Sequence, residues 1–100
     1  MTHARVWRFK PPSGREAEFE QAYSGKGHWA RLFERAPGYR GTVLLRPSEA
    51  GDWWLTIDRW DTQADFDAFE RDFGVQYRGL DKELEGVAGD EEFVSAFEED

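Results

Sequence analysis

One hundred residues with a formal net charge of −8, from 21 acidic and 13 basic side chains, describe one domain with an acidic surface. Such a surface repels phosphate backbones and anionic membranes, so neither nucleic acid nor a lipid surface is an expected partner. With no cysteine, the chain has no disulfide framework, no thiol nucleophile and no cysteine metal site. Aromatic residues make up 16% of it, five Trp and eight Phe among them, a large apolar load for a chain that buries only roughly two-thirds of its unfolded surface.

The N-terminus, MTHARVWRF, has no long apolar run, and no stretch approaches the roughly 18 apolar residues of a membrane span, so a cytoplasmic protein is expected. Residues 3–9 alternate as a strand, with Val6 on one face and Trp7 and Phe9 on the other. Lys10, Pro11 and Pro12 end it, because proline cannot donate to a ladder. Ser13 and Glu16 have the spacing of a capping box, and Ala17, Phe19, Ala22 and Tyr23 follow at helical intervals. Gly25 and Gly27 interrupt the helix, since each glycine costs about 1 kcal/mol in a helix interior. Residues 28–36 resume it with Trp29, Leu32 and Phe33 on one face, until Pro37 and Gly38 stop it.

Two β-branched and aromatic runs, residues 42–45 and 53–57, flank a polar linker at 47–52 and read as a hairpin. Asp61 and Thr62 open a second helical region. There Phe66, Phe69, Phe73, Tyr77, Leu80 and Leu84 recur at intervals of 3, 4, 4, 3 and 4, a single apolar stripe. Gly74 and Gly79 lie within it, which leaves one bent helix or two shorter ones. Residues 92–97 form a last short strand with Phe93, Ser95 and Phe97 on one face, and 98–100 read as a frayed acidic end.

The order is β-α-β-β-α-β, the split-βαβ, ferredoxin-like plan of an α+β domain: an antiparallel sheet with both helices on one face. The uncovered face of such a sheet should be polar if it meets water. Here Trp53, Leu55 and Ile57 take one side of the third strand while Trp54, Thr56, Asp58 and Trp60 take the other, so both sides carry large apolar groups. A second copy of the sheet across a two-fold axis is the simplest cover, and a homodimer through the sheet face is expected.

Phe19 and Glu20 with Tyr23, the Gly38-Tyr39-Arg40-Gly41 entry to the second strand, and Trp60-Asp61-Thr62 leading to Phe66 and Phe69 resemble the antibiotic-biosynthesis-monooxygenase-like branch of the dimeric α+β barrel superfamily. The resemblance spans nearly the whole chain. It implies a dimeric α+β barrel and, by analogy with the family's enzymes, oxidation of electron-rich polycyclic phenols by dioxygen without metal or flavin. It also raises haem degradation. The first-strand Asn of haem-degrading members falls near Trp7, their catalytic Trp at Phe69 and their haem-ligating His near Gly79; all three positions depart, which argues against that mechanism.

A phenol oxygenase needs a dry aromatic cavity and one or two polar groups to take a proton and stabilise an anion. Trp7, Trp54, Trp60, Phe69 and Tyr77 are the candidate lining, with core or dimer packing as the simpler role for each. Arg5, Arg8 or Arg59 could stabilise an oxyanion if they point inward. Asp58, in a strand interior, is either salt-bridged across strands to Arg8 or Arg46, the commoner arrangement, or a functional base. His3 and His28 have no acidic neighbours at metal-ligand spacing, so no metal site and no cofactor are expected. The sequence thus points to a cofactor-independent monooxygenase-like protein acting on a small aromatic or polycyclic phenol. The alternatives are a dimeric module that only binds a small hydrophobic ligand, and a haem-binding relative without the usual ligands.

Overall fold

β1 (Thr2–Lys10) runs through the middle of a four-stranded antiparallel sheet, in a computed structural model that describes residues 1–100. α1 (Glu16–Tyr23) and α2 (His28–Phe33) follow, then β2 (Tyr39–Leu45), β3 (Trp54–Trp60), α3 (Gln63–Ala88) and β4 (Asp90–Glu99). The strand order β2-β3-β1-β4 is that of the ferredoxin-like fold, with the helices packed on one face. β1 and β3 are the central strands; β2 and β4 are the edges.

Alternation along the strands decides what each face carries. On β3, Trp54, Thr56, Asp58 and Trp60 turn toward the helices, and their partners on β1 are Phe9, Trp7, Arg5 and His3. Trp60, Phe19 and Phe69 are fully buried and anchor the core between sheet and helices. Phe19 stacks on Tyr23 at 4.5 Å and meets Trp54 edge-on at 5.3 Å, and Phe69 meets Phe33 edge-on at 5.0 Å. Such pairs contribute about 0.5–1.5 kcal/mol beyond the area they bury. A chain this small can be held by so little sequence because its core is mostly rings.

The helical boundaries follow local chemistry. Ser13 does not cap α1: Arg15 is the N-cap, without a side-chain hydrogen bond, and its N–H donates to the Pro12 carbonyl at 3.0 Å. Pro12 and Gly14, the latter at φ 89°, close a tight turn first, so the helix begins too late for the Ser13–Glu16 box to form. The expected break at Gly25–Gly27 is real, and Gly27 shows why. A Cβ there would lie 2.4 Å from the Gln21 carbonyl oxygen, so only glycine lets α2 start directly against the end of α1. α3 is one helix bent at Phe73 (φ −119°, ψ 20°), just before Gly74.

β4 departs most from expectation. It runs to Glu99 instead of fraying, because His3 Nδ1 lies 2.8 Å from Glu98 Oε2 and Arg59 Nε donates to Glu99 Oε1 at 2.8 Å. Those partners lie on β1 and β3, too distant in sequence to be read from the tail. Phe93, Ser95 and Phe97 do not share a face either. The register slips between Val6 and Trp7, leaving Val94 unpaired; Phe93 sits opposite Trp7 while Ser95 and Phe97 sit opposite Val6 and Ala4. One extra residue in a strand turns everything beyond it over.

The face away from the helices carries Val6, Leu55 and Ile57 along its middle, with Val43, Leu45 and Phe97 exposed at its flanks. Trp53 lies at its end under the Arg8 guanidinium, 4.2 Å from the ring centroid. No helix of the structure is long and apolar enough to cross a membrane.

Candidate active site

Between Trp54 and Trp60 the inner face of β3 carries two small side chains, Thr56 and Asp58, and on β2 Thr42 stands beside Asp58. Large rings at both ends and small polar groups between them leave a gap under the helices. That gap is a half-open cavity of about 110 Å³. Its walls are Trp7 and Phe9 from β1, Tyr23 from α1, Trp29 and Phe33 from α2 and Tyr77 from α3. Thr42, Thr56 and Asp58 form the floor, while the exposed Asp81 and Glu91 stand at the mouth.

Asp58 is the unusual group. Thr42 Oγ1 donates to its Oδ1 at 2.6 Å, and the Tyr39 hydroxyl lies 2.6 Å from the same Thr42 oxygen. The single Thr42 proton goes to the carboxylate, so Tyr39 donates to Thr42, giving a relay from Tyr39 through Thr42 to Asp58. Neither Arg8 nor Arg46 reaches Asp58; they pair with Glu92 and Glu20, which overturns the expected salt bridge. Arg5 is the cross-strand neighbour of Asp58, but its guanidinium lies over Phe66, 3.9 Å from the ring centroid, and over Phe93. Burial therefore dominates and raises the Asp58 carboxyl to about 6, although the Thr42 hydrogen bond and the charge of Arg5 pull it back in part. The residue is only half-buried by surface, because one side opens on the cavity, yet protein surrounds the carboxylate closely enough to desolvate it.

Burial also pushes the phenols upward. Tyr77 reaches about 12, helped by the charges of Asp81 and Glu91, and Tyr39 about 12, against the pull of its Thr42 hydrogen bond. Tyr23 is raised as well, by burial first, against a pull from the nearby Trp29 indole. All three stay protonated at neutral pH and serve as donors. Burial, then the neighbouring Asp81, raises Glu91 above the usual glutamate range. The indole N–H of Trp29, buried in the wall, lies close enough to Tyr23 to be felt but makes no bond of hydrogen-bonding geometry with it or with any other group.

Of the residues singled out from the sequence, Trp7, Asp58 and Tyr77 come together around the cavity. Trp54, Trp60 and Phe69 are in the core behind it, 6%, 0% and 1% exposed, and face neither the cavity nor the open side of the sheet. Arg59 points to the opposite face, where it pairs with Glu99, and Arg8 pairs there with Glu92. Tyr23, Trp29, Thr42, Thr56, Asp81 and Glu91 were not among the expected lining. The legible signal was the inner face of β3, where two small residues between two tryptophans mark a gap.

A haem would need an axial ligand in this cavity. No imidazole lines it: His3 is buried against Glu98 and His28 is exposed at the start of α2. Gly79 has no side chain to offer, and a Tyr77 phenol held at about 12 is a poor source of the phenolate that would bind iron. No group of three or more His, Asp or Glu side chains is placed to hold a metal ion. The donor set does not fit haem ligation.

Comparison with known proteins agrees with this architecture. The chain is similar to SnoaB, a cofactor-independent oxygenase from Streptomyces nogalater, at 22% identity and a TM-score of 0.77, over 99% of this chain and 93% of that one. It is also similar to the heme-degrader MhuD from Mycobacterium tuberculosis, solved with two hemes in its active site, at 22% identity and a TM-score of 0.66, over 96% of this chain and 93% of that one. At such identities the likeness establishes the fold. No curated protein matches the sequence. The family description "antibiotic biosynthesis monooxygenase" matches residues 2–72, well over half the chain, and on that match the chain belongs to the antibiotic biosynthesis monooxygenase family.

Proposed function

We propose that the protein is a cofactor-independent monooxygenase that oxidises a small phenol with dioxygen, Asp58 acting as the base. The observation that carries this reading is an unpaired carboxylate raised to about 6 on the floor of an aromatic cavity. A base poised near neutral pH suits removal of a phenolic proton. The ring lies among Trp7, Phe9, Trp29 and Tyr77, and its hydroxyl faces Asp58, whose second oxygen is free of the Thr42 bond. The phenolate left behind is electron-rich enough to reduce dioxygen. A phenol with a hydrogen on its para carbon and one dioxygen give a quinone and one water, a balance that needs no further reductant. The family membership and the likeness to SnoaB support the reaction class.

The cavity volume favours one ring over several. At about 110 Å³ it is nearer the roughly 150 Å³ that holds benzene in an engineered core than the roughly 300–1,000 Å³ of sites for larger ligands, and its open side lets a single ring extend into the mouth. A polycyclic phenol requires the mouth between α3 and β4 to open. The exposed Val43, Leu45 and Phe97 support a homodimer through the open face of the sheet.

Oxygen uptake with a panel of monocyclic and polycyclic phenols that carry a hydrogen on the para carbon, with the quinone identified as product, tests the reading. Uptake by the wild type that collapses in Asp58→Asn is the expected result. Tight binding of the same compounds without uptake would make the protein a ligand-binding module instead. Haem remains the second reading only by likeness of fold to MhuD, against a cavity that offers no axial ligand; an unchanged Soret band on titration with haem removes it.

A further inference from the structure

Tyr39 and Thr42 stand three residues apart on β2, a spacing that puts two side chains on opposite faces of a regular strand. Here both turn inward. The β2–β3 register slips between Tyr39 and Gly41: Tyr39 pairs with Trp60, Gly41 with Arg59 and Thr42 with Asp58, which leaves Arg40 without a partner. That one extra residue turns Tyr39 over onto the face that carries Thr42 and Asp58. Gly41 takes a φ of 115°, a conformation that glycine reaches without strain and other residues rarely adopt. The bulge is pinned at the far end of β3, where the Asp61 N–H donates to the Gly38 carbonyl at 2.7 Å and the Asp61 carboxylate pairs with Arg40. The Tyr39 ring is held between Phe33 and Trp60, at centroid distances of 5.4 and 5.3 Å. Tyr39 does not line the cavity, and the one group its hydroxyl meets is Thr42.

We propose that Tyr39, placed by the Arg40 bulge, is a positioning residue for Asp58: by donating to Thr42 it fixes the Thr42 proton on Oδ1 and leaves Oδ2 as the oxygen that meets the substrate. A threonine hydroxyl carries one proton and rotates to suit its partners, so the direction of that proton depends on what else bonds the oxygen. Hydrogen bonds in series polarise one another, and the 2.6 Å from Thr42 to Asp58 lies in the range of a bond to a charged oxygen. The Tyr39 hydroxyl thus favours the carboxylate over the carboxylic acid, against the burial that favours the acid, and keeps the base ionised at neutral pH. The other titratable groups around Asp58 are Arg5 across the strand pair, Tyr23 from α1, Tyr77 and Asp81 from α3 and Glu91 from β4; Glu34, at the end of α2, faces Tyr39. All of them stay in place when the Tyr39 hydroxyl is removed. The assignment deepens the proposed reaction and rests on Asp58 being its base.

The test is NMR titration of the Asp58 carboxyl in Tyr39→Phe, which keeps the ring between Phe33 and Trp60 and so the fold, and which needs no turnover. The midpoint should rise, a roughly twofold to fivefold gain in proton affinity, and the acid limb of the oxygen-uptake pH profile should move with it. In a Thr42→Val background the same substitution should leave the Asp58 midpoint where Thr42→Val alone puts it, because Tyr39 reaches Asp58 only through that hydroxyl. In a Thr42→Ser background, where a hydroxyl is kept, the rise should return. An unmoved or lowered midpoint in Tyr39→Phe, a rise of the same size in the Thr42→Val background, or no rise in the Thr42→Ser background would each overturn the proposal. Its failure is separable from that of the oxygenase reading. The expected titrations without oxygen uptake remove only the reaction, and uptake that collapses in Asp58→Asn while Tyr39→Phe titrates as the wild type removes only the role of Tyr39.

Discussion

Thr42 Oγ1 donates a 2.6 Å hydrogen bond to Oδ1 of Asp58, the residue directly across from it in the β2–β3 pair. The same oxygen accepts the Tyr39 hydroxyl at 2.6 Å, so one side chain holds both the carboxylate and the relay behind it. Thr42→Val keeps the shape and removes both bonds. Because the Thr42 bond holds Asp58 down, its loss should move the Asp58 titration above about 6. An unsatisfied buried partner costs about 1–3 kcal/mol, so the variant should also unfold at lower denaturant. Carbon-detected NMR titration of the carboxyl and urea unfolding read the two effects; an unmoved titration would show that the bond does not govern Asp58.

The raised carboxyl of Asp58 fixes the sign of a pH effect on stability. It titrates at about 6 in the folded chain against 3.8 for an ordinary aspartate, so between those values the folded state binds more protons than the unfolded state. Its penalty is fully present above about pH 6 and is relieved as pH falls toward 4, worth at most on the order of 3 kcal/mol. Stability measured by urea unfolding should rise from pH 8 to about pH 4.5. Glu91, also raised, acts in the same direction. A monotonic loss of stability over that interval would contradict the environment assigned to Asp58.

Asp58→Asn separates function from folding. The amide retains the size and can still accept from Thr42, while the charged form that burial penalises is gone. Oxygen-uptake rate should drop about 10²–10⁴-fold, the usual contribution of a positioned base. Stability at pH 7.5 should not fall and should increase. A variant that is both inactive and strongly destabilised would mark Asp58 as a structural residue.

Core and cavity residues should respond differently to truncation. Phe69 packs against Phe33, Trp60 and Phe73 and is 1% exposed, so Phe69→Ala should cost about 3–5 kcal/mol in thermal or urea unfolding. Tyr77→Phe at the cavity wall removes only a hydroxyl that bonds to no protein group and should stay within about 0.5 kcal/mol of wild type while altering ligand affinity.

The open face makes a prediction about assembly. Val43 and Leu45 project from β2 at 38% and 46% exposure, in line with Ile57 and Leu55 on β3. Light scattering should give about twice the 11.6 kDa chain mass. Val43→Asp/Leu45→Asp should yield the monomer with unchanged far-ultraviolet circular dichroism, and a wild type already monomeric at micromolar concentration would remove the dimer.

Much of the fold was legible because each of its strongest signals is local. The apolar stripe from Phe66 to Leu84 set α3, the glycines at 25 and 27 set the break between α1 and α2, and alternation on β3 put Trp54, Thr56, Asp58 and Trp60 on one face. Those signals fail where a distant partner decides. The pairing of Glu98 and Glu99 with His3 and Arg59, and the bulge at Val94 that separates Phe93 from Phe97, depend on strands more than thirty residues away in sequence.

The chemistry divides in the same way. Sequence by itself determined that a family fold would be built, that both sheet faces would be apolar and that Asp58 would share a face with two tryptophans. Tertiary structure decided that those tryptophans are core while the smaller residues between them open the cavity. It also decided that every arginine near Asp58 is engaged elsewhere, by Glu92, by Glu20 or over Phe66. A carboxylate's proton affinity is set by desolvation and by the position of the nearest opposite charge, and neither exists until the chain has folded.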